Sequence, residues 1–402
     1  MKHSRFTGAV LLIAGTATGA AMLALPVSTG RAGLFPSLLT MLFVWLYLSY
    51  AALCTLEMAI SLPKDSNIIT MAEHTLGKWG KYISGFFYLF LLYALNTAYI
   101  SGTCALVQDL MEQLFSYRPS ALVCAIPLLI FFGLVLRRGV KAVDALNRLF
   151  MGALLLSFIL LLVISAPHIR PSYLQEVRWE YVLPSLSIVL TAFGYHVVIP
   201  SLASYLHDNI HKLKKAIWIG SAIPLIGYSL WQIATLGIVP ISGALSIESA
   251  YEMGMSGAEV LYELSQNSWI TAIGTCFAFS AIITSFLGVS MSLFDFLTDG
   301  LRKKAYGAIK WKIFILALLP PLYFALTYKR AFLSALEFAG AYGVVMLLAV
   351  IPALMTWRKR YVLYLPGEEI APGGKVALSI FMAISLCFII IETCIKLELL
   401  HG

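Results

Sequence analysis

The chain has 402 residues, of which 60% are hydrophobic and only 12% are charged, and its mean hydropathy is +0.86. Soluble globular proteins carry roughly 25% charged residues, so this composition excludes a soluble protein and predicts a multi-pass membrane protein. In such a chain the net charge of +8 reports membrane topology and does not indicate nucleic-acid binding. The six cysteines form no CxxC pair, which argues against a metal site or a disulfide framework.

Apolar segments bounded by charged or turn-forming residues predict about eleven membrane-spanning helices. Their approximate limits are 7–30, 35–61, 82–115, 120–136, 147–167, 181–206, 215–240, 269–298, 311–328, 331–356 and 375–399. Short polar joints separate most of them. The joint around 241–268 carries Glu248, Glu252, Glu259 and Glu263 at helical spacings, and it is either a surface helix or a solvated loop.

The distribution of lysine and arginine predicts the orientation of the chain. With the N-terminus inside and the spans alternating, 21 of the 28 Lys and Arg residues fall on the inner side. Because short inner loops are enriched in Lys and Arg, the N-terminus is predicted to be cytoplasmic and the C-terminus periplasmic.

The first apolar segment contains small and polar residues near its middle. They are Gly15, Thr16, Ala17, Thr18, Gly19, Ala20 and Ala21. Glycine and threonine are weak helix formers, and Pro26 follows, which favours an interrupted helix whose freed backbone groups face a ligand. The alternative is that Gly15 and Gly19 form a GxxxG packing face against another helix.

The sixth apolar segment contains a similar stretch, followed by Pro200. Its residues are Thr191, Ala192, Phe193, Gly194, Tyr195 and His196. Gly19 and Gly194 are 175 residues apart (194 − 19), with five predicted spans in each half, so the second half enters the membrane from the opposite side. This spacing predicts an inverted repeat of residues 1–167 and 181–356, followed by an eleventh helix at 375–399, and it favours a binding site over a packing face.

The two interruptions predict the chemical class of the ligand. A half-helix that begins at a break offers amide N–H groups, and one that ends there offers carbonyl oxygens. The amides at Gly19, Ala20 and Ala21 suit a carboxylate, and the carbonyls around Thr191 and Ala192 suit an ammonium group. The expected ligand is therefore an amino acid, and the small and aromatic residues at the breaks leave room for a ring.

Polar residues inside the spans are further functional candidates. Asn96 and Tyr99 are candidates to face the same cavity, Thr284 and Ser285 to ligate a small cation, and His196 and Glu337 to carry a proton. Each has a structural alternative, because buried polar groups also pack helices together or bond to their own backbone. Asn96, Gln232 and His196 are the candidates for pairing with a phenolic hydroxyl of a substrate.

Several segments resemble a known family. They are Ala14-Gly15-Thr16 through Leu25-Pro26, Tyr99–Gly102, Asp144–Arg148, Phe193–His196, Trp231–Gly237, Thr284–Val289 and Leu293–Phe296. Together they resemble the hydroxy and aromatic amino acid permeases of the amino acid-polyamine-organocation superfamily. The resemblance implies an all-α, LeuT-like five-plus-five fold with discontinuous helices 1 and 6 and one extra helix. It also implies proton-coupled uptake of an aromatic amino acid, tyrosine above all, across the bacterial inner membrane.

Two positions depart from the family pattern. Several relatives carry a lysine in the fifth span, where this chain has Leu154, and most have glycine where this chain has Glu337. Proton coupling through that lysine therefore does not carry over. Two hypotheses remain: either Glu337 or His196 takes the proton, or Thr284 and Ser285 help to bind sodium.

Other classes of function are less well supported. The leading expectation is a secondary transporter that uses H+ or Na+ as coupling ion and needs no cofactor. The alternatives are sodium-coupled or exchange transport of tryptophan, phenylalanine or another neutral amino acid. A membrane-embedded enzyme would need a motif such as HExxH or GxSxG, which the sequence lacks. The sequence leaves the oligomeric state open.

Overall fold

The computed structural model describes residues 5–63, 66–138, 140–206, 209–265, 267–300 and 308–399, and regular structure in this part is entirely helical. The helices, numbered in chain order, are α1 (Arg5–Ala17), α2 (Ala21–Thr29), α3 (Leu34–Ser61), α4 (Ile68–Phe115), α5 (Ala121–Arg138), α6 (Val140–Ser165), α7 (Val182–Ala192), α8 (Ile199–Tyr205), α9 (Ile210–Leu236), α10 (Ile247–Met253), α11 (Gly257–Ser265), α12 (Ser268–Gly300), α13 (Ala308–Thr327), α14 (Ala331–Phe338), α15 (Ile351–Tyr361) and α16 (Gly374–Lys396). The basic residues Lys2, Lys64, Arg302, Lys303 and Lys304, which enter the topology prediction, lie outside the described residues.

The helices confirm a multi-pass membrane protein. Among the described residues, eight helical segments are long and apolar enough to cross a membrane, and the bent pair α1–α2 adds a ninth. Two shorter apolar helices, Ala121–Val135 and Lys312–Thr327, coincide with the fourth and ninth predicted spans.

One helix begins earlier than the sequence predicts. The third span was expected to begin at residue 82, but α4 begins at Ile68. The part before Gly77 carries Glu73 and His74, and these polar residues hide it from a search for apolar runs, whereas the part after Gly77 begins at Lys78, close to the expected start. A break at Gly77 (φ +77°) separates this polar first part from the apolar remainder. A left-handed φ of this kind strongly favours glycine.

The glutamate-rich joint folds as two short helices, α10 and α11, in place of one surface helix or a loop. Glu248 on α10 pairs with Arg178, whereas Glu259 on α11 is 5% exposed. Burial raises the pKa of Glu259 to about 7; the Ser256 N–H opposes this rise, and the nearby carboxylate of Asp109 adds to it. α11 therefore carries a buried carboxyl group that titrates near neutral pH.

A π-helical segment, Ala339–Val350, joins α14 to α15. π-Helices are rare, and most are a single turn inside an α-helix. Within this segment Gly340 lies directly against the backbone of α7, because a Cβ atom there would be 1.7 Å from the Ser187 carbonyl oxygen. The missing side chain at Gly340 is therefore what allows the two elements to approach so closely.

A buried ion cluster holds helices together at the end of the bundle where α1 begins. The Glu57 carboxylate, fully buried on α3, accepts hydrogen bonds from Lys359 Nζ (3.1 Å) and Arg360 Nε (2.8 Å) on α15. It also accepts the backbone N–H groups of Ile370 (2.8 Å) and Ala371 (3.1 Å). This cluster connects α3, α15 and the segment that leads to α16.

Candidate functional site

The first predicted interruption is confirmed. α1 ends at Ala17, α2 begins at Ala21, and the two helices are bent by 56°. The Thr18 hydroxyl donates to the Ala14 carbonyl at 2.8 Å, so it bonds within its own helix. The Thr16 hydroxyl does the same with Leu12 and is exposed.

The GxxxG alternative receives no support at Gly15. Within the described part of the chain, a Cβ atom on Gly15 would have the Met151 methyl group as its one neighbour within 4 Å, at 3.9 Å, so no helix backbone packs against it there. Gly19 is different, because a Cβ atom there would lie 2.4 Å from the Ser285 hydroxyl oxygen on α12. Because Gly19 has no side chain, the Ser285 hydroxyl can approach the backbone at the first break.

The second interruption is also present. α7 ends at Ala192, and residues 193–195 separate it from a short 3-10 turn that leads into α8. The Gly194 N–H donates to the Thr191 carbonyl at 3.2 Å, which closes the last turn of α7. The Thr191 hydroxyl bonds to the Leu336 carbonyl at 2.8 Å, so it ties α7 to α14 and does not face the break.

A tyrosine on α9 connects the two interruptions. The Tyr228 hydroxyl oxygen lies 2.7 Å from the Ala17 carbonyl oxygen and 2.8 Å from the Ala192 carbonyl oxygen. These are the last residues of α1 and α7, where helix carbonyls lack intrahelical partners and carry partial negative charge. The Tyr228 ring packs edge-on against Phe193, with 5.1 Å between centroids. Both half-helices therefore end at one fully buried phenolic oxygen.

A serine on α12 meets the beginning of α2. The Ala20 N–H, which precedes the first turn of α2, donates to the Ser285 hydroxyl oxygen at 2.9 Å. The Tyr99 phenol of α4 lies beside Ser285 and near Tyr228. Of the residues predicted at the site, Tyr99 and Ser285 are thus brought to the first break, and Tyr228 joins them from α9.

Asn96 and His196 bond to groups away from the breaks. Asn96 donates to the Leu92 carbonyl (2.8 Å) and accepts the Ser290 hydroxyl (2.6 Å), which fastens α4 to α12. His196 Nε2 bonds to the Leu48 carbonyl of α3 at 2.8 Å and must donate there, because a carbonyl oxygen can only accept. The structure thus places His196 in a contact between the second broken span and α3.

Tyr195 and Gln232 are buried polar residues with unfilled hydrogen-bonding capacity. The Tyr195 ring stacks on the His196 imidazole with 4.8 Å between centroids, and its hydroxyl has no hydrogen-bond partner among the described residues. Gln232 Nε2 donates to the Ser37 hydroxyl at 3.2 Å, beside the far end of α2, while its carbonyl oxygen has no such partner. Tyr195 is itself the last residue of the second break, whereas Gln232 bonds at Ser37, away from both breaks.

Two of the predicted ion-coupling residues are engaged elsewhere. The Thr284 hydroxyl bonds to backbone carbonyls of its own helix, at Ser280 (3.0 Å) and Ala281 (3.1 Å). The Glu337 carboxylate, 3% exposed, accepts the Tyr251 hydroxyl at 3.0 Å and pairs with Lys396 of α16. Leu154, at the position of the missing lysine, is fully buried on α6.

A cavity lies beside the second broken span, at the end of the bundle where α1 begins. It has a volume of about 470 Å³ and lies between the start of α4, α8 and the last turns of α12. Its lining includes Tyr88 and Phe296, the hydroxyl of Ser201, and the exposed carboxylates of Asp295 and Asp299. α8, which lines the cavity with Pro200, Ser201 and Ser204, follows the second break through a 3-10 turn.

The opposite end of the bundle carries a group of stacked cations and aromatic rings. Arg31 lies in the 3-10 turn that follows α2, and its guanidinium is 4.2 Å from the ring centroids of both Tyr181 and Tyr251. The Arg330 guanidinium lies 4.0 Å from the Tyr251 ring centroid. Such contacts stabilise by about 0.5–2 kcal/mol each, depending on desolvation. They hold the end of α2 against α10 and the start of α14.

Tyr228 was not among the residues predicted from the sequence, although a signal for it was present. A tyrosine in the middle of a spanning helix is an intramembrane polar residue, and such residues are functional candidates. It also precedes the Trp231–Gly237 segment by less than one helical turn. Its carbonyl partners, 211 and 36 residues away in the sequence, become visible only in the fold.

Interrupted helices that meet at a buried polar centre are typical of membrane transport proteins. The chain belongs to the tryptophan/tyrosine permease family, whose model matches residues 2–392. It is a membrane transport protein and not an enzyme.

Several bacterial transport proteins are similar to this chain. A tyrosine-specific transport system 1 of Haemophilus influenzae is 33% identical over 367 residues, which cover 89% of each chain. A tyrosine-specific transport system 2 of the same organism is 32% identical over 98% of each chain. A tryptophan-specific transport protein of Pseudomonas aeruginosa is 29% identical over 88% of this chain and 87% of its own length.

Proposed function

We propose that this protein imports an aromatic amino acid, tyrosine in the first place, across the bacterial inner membrane by ion-coupled alternating access. The observation that carries the proposal is the meeting of both interrupted helices at the Tyr228 hydroxyl. The two relatives with the highest identities quoted above are named as tyrosine-specific systems, which favours tyrosine over tryptophan.

The substrate's zwitterion fits the backbone groups of the two breaks. Its ammonium group is held by the carbonyl oxygens of Ala17 and Ala192, at the negative ends of α1 and α7. Its carboxylate is held by the N–H of Ala20, at the positive end of α2. The ring lies among the aromatic residues that surround this centre, chiefly Phe193 and Tyr99.

The proposed architecture is an eleven-helix, five-plus-five inverted repeat. α1–α2 and α7–α8 are the interrupted first and sixth helices, residues 1–167 and 181–356 are the two repeats, and 375–399 is the extra helix. With the N-terminus in the cytoplasm, the 470 Å³ cavity faces the cytoplasm and the Arg31 group closes the periplasmic side. The described conformation is then inward-facing.

The coupling ion is proposed to be a proton or sodium. Of the four residues considered, Ser285 contacts the first break through the Ala20 N–H, which favours sodium bound near Ser285 and its neighbour Thr284. The proton alternative depends on Glu337 or His196. The charge of Glu337 is compensated by Lys396 and by Arg330 at 3.9 Å, and His196 is committed to a backbone carbonyl. The absence of a lysine at Leu154 is consistent with sodium in its place.

The test is uptake of radiolabelled tyrosine into proteoliposomes that contain the purified full-length protein. A proton gradient and a sodium gradient are imposed separately, and unlabelled tyrosine, tryptophan, phenylalanine and glutamine are compared as competitors. Protein-free liposomes are the control. We expect accumulation above equilibrium with one of the gradients and strongest competition by tyrosine.

The outcomes separate the parts of the proposal. Accumulation with sodium alone supports the Ser285 and Thr284 site, whereas accumulation with protons alone directs attention to Glu337 and His196. Tyrosine uptake that is unchanged when both gradients are collapsed would refute ion coupling. Competition by glutamine but by no aromatic amino acid would refute the proposed substrate.

A further inference from the structure

In the conformation described, the protein's own hydroxyl groups occupy the hydrogen-bonding positions in both halves of the candidate site. The Tyr228 hydroxyl stands at the two carbonyls, 2.7 Å from Ala17 and 2.8 Å from Ala192. The Ser285 hydroxyl stands at the amide, 2.9 Å from the Ala20 nitrogen. One hydroxyl acts as a donor and the other as an acceptor, as the ammonium and the carboxylate of an amino acid would.

We propose that Tyr228 and Ser285 act as internal stand-ins for the substrate's ammonium and carboxylate groups, and that tyrosine must displace both hydroxyls in order to bind. This inference rests on the proposed function, since it assigns the binding energetics of the same site. It makes Tyr228 and Ser285 residues that set affinity by competing with the substrate.

The distances favour displacement of both hydroxyls. An ammonium nitrogen bonded to the carbonyls of Ala17 and Ala192 would lie about 2.8 Å from each oxygen, where the Tyr228 oxygen now lies. A carboxylate oxygen bonded to the Ala20 N–H would likewise take the place of Ser285 Oγ. At each half of the site, the substrate atom and the protein's hydroxyl oxygen therefore compete for the same position.

The number of donor protons favours replacement of the Tyr228 hydroxyl by the substrate's ammonium group. A phenol has one proton, so it cannot make a full hydrogen bond to two carbonyls at once, whereas an ammonium group has three N–H donors and a charge. Both carbonyls end helices whose termini carry partial negative charge. Charge-assisted hydrogen bonds are roughly twice as strong as neutral ones, so replacing the hydroxyl by an ammonium is favourable.

Tyr99 offers a new partner to the displaced hydroxyls. Its phenol lies beside Ser285 and within electrostatic reach of Tyr228, at the centre of the same group. A phenolic oxygen both donates and accepts, so it can bond to either hydroxyl after displacement. Tyr99 is therefore a partner that either displaced hydroxyl can take.

The test is equilibrium binding to the purified full-length protein in nanodiscs. Three ligands are compared: L-tyrosine, tyramine, which has the ammonium alone, and 3-(4-hydroxyphenyl)propanoate, which has the carboxylate alone. Tyr228→Phe and Ser285→Ala each remove one competing hydroxyl. Tyr47→Phe and Ser385→Ala are matched controls, since their hydroxyls bond to each other at 2.7 Å between α3 and α16.

Each variant should tighten binding of only those ligands that carry the matching charge. A net hydrogen bond corresponds to about three- to tenfold in affinity. We therefore expect Tyr228→Phe to lower Kd by about this factor for tyrosine and tyramine but not for the propanoate. Ser285→Ala should lower Kd for tyrosine and the propanoate but not for tyramine, and the two controls should change none.

Equal changes for all three ligands, or weaker tyramine binding in Tyr228→Phe, would overturn the inference. If Tyr228→Phe does not fold, Ser285→Ala and Gly19→Ala decide, because a Cβ at Gly19 pushes the Ser285 hydroxyl away and should act as Ser285→Ala does. If the wild-type protein binds no aromatic amino acid, the proposed function fails and not the inference alone.

Discussion

The buried carboxylate of Glu57 makes a sharp test of the packing between α3 and α15. Its two oxygens accept from Lys359, twice from Arg360, and from the N–H groups of Ile370 and Ala371. Glu57→Gln preserves the size but turns one oxygen into an NH₂ group, which cannot accept. Whichever oxygen is replaced, at least two donors lose their acceptor, and both buried cations lose the charge of Glu57, which leaves Arg360 only the exposed carboxylate of Glu369 at 3.2 Å.

The expected loss of stability in Glu57→Gln follows from the burial of the ion cluster. The side chains of Glu57, Lys359 and Arg360 are at most 2% exposed, and breaking such a buried pair costs about 3–5 kcal/mol. The matched control is Glu73→Gln, which removes a pair with Lys81 whose side chains are 40% and 48% exposed. Exposed pairs contribute at most about 1 kcal/mol.

The assay is thermal unfolding of the purified protein, followed by size-exclusion chromatography after heating. We expect Glu57→Gln to lower the apparent Tm by several degrees and Glu73→Gln to leave it within about one degree. Equal Tm values for the two variants would refute the reasoning, because burial of the Glu57 cluster would then have no energetic consequence.

Two further predictions concern the packing of α7 and the buried carboxyl of α11. Gly340→Ala places a Cβ atom 1.7 Å from the Ser187 carbonyl oxygen and should lower both Tm and tyrosine binding, whereas Gly152→Ala, with no atom within 4 Å, should leave both unchanged. The pKa of Glu259 is raised from 4.5 to about 7, so its contribution to stability is fully present below pH 4.5 and is lost as the pH rises through 7. Lowering the pH from 7.5 to 6 should therefore stabilise the wild-type protein by about 1 kcal/mol. In unfolding experiments Glu259→Gln should not show this stabilisation at the lower pH. An identical dependence of stability on pH in the wild type and the variant would contradict a raised pKa of Glu259.

Local composition was sufficient to locate the two interruptions. Weak helix formers around Gly19 and Gly194, each followed by a proline, mark the positions where the structure breaks its helices. This succeeded because an interruption is encoded by residues that are neighbours in the sequence. The membrane-spanning character of the chain was predictable for the same reason, from apolar runs alone.

Contacts between distant residues were not predictable. Nothing near His196 indicates that its ring bonds to Leu48, which is 148 residues away. The π-helical form of Ala339–Val350 was also missed, because the composition of this apolar segment does not distinguish π- from α-helical hydrogen bonding. Glu259 was expected on a surface, yet the packing of α11 buries it.

The most direct test of the central claim is an experimental structure of the full-length protein with tyrosine bound. The account predicts that the ammonium nitrogen lies within hydrogen-bond distance of the carbonyl oxygens of Ala17 and Ala192, and that the carboxylate accepts from the Ala20 N–H. Tyrosine bound elsewhere, for example in the cavity beside Asp295, with Tyr228 still joining both carbonyls, would contradict it.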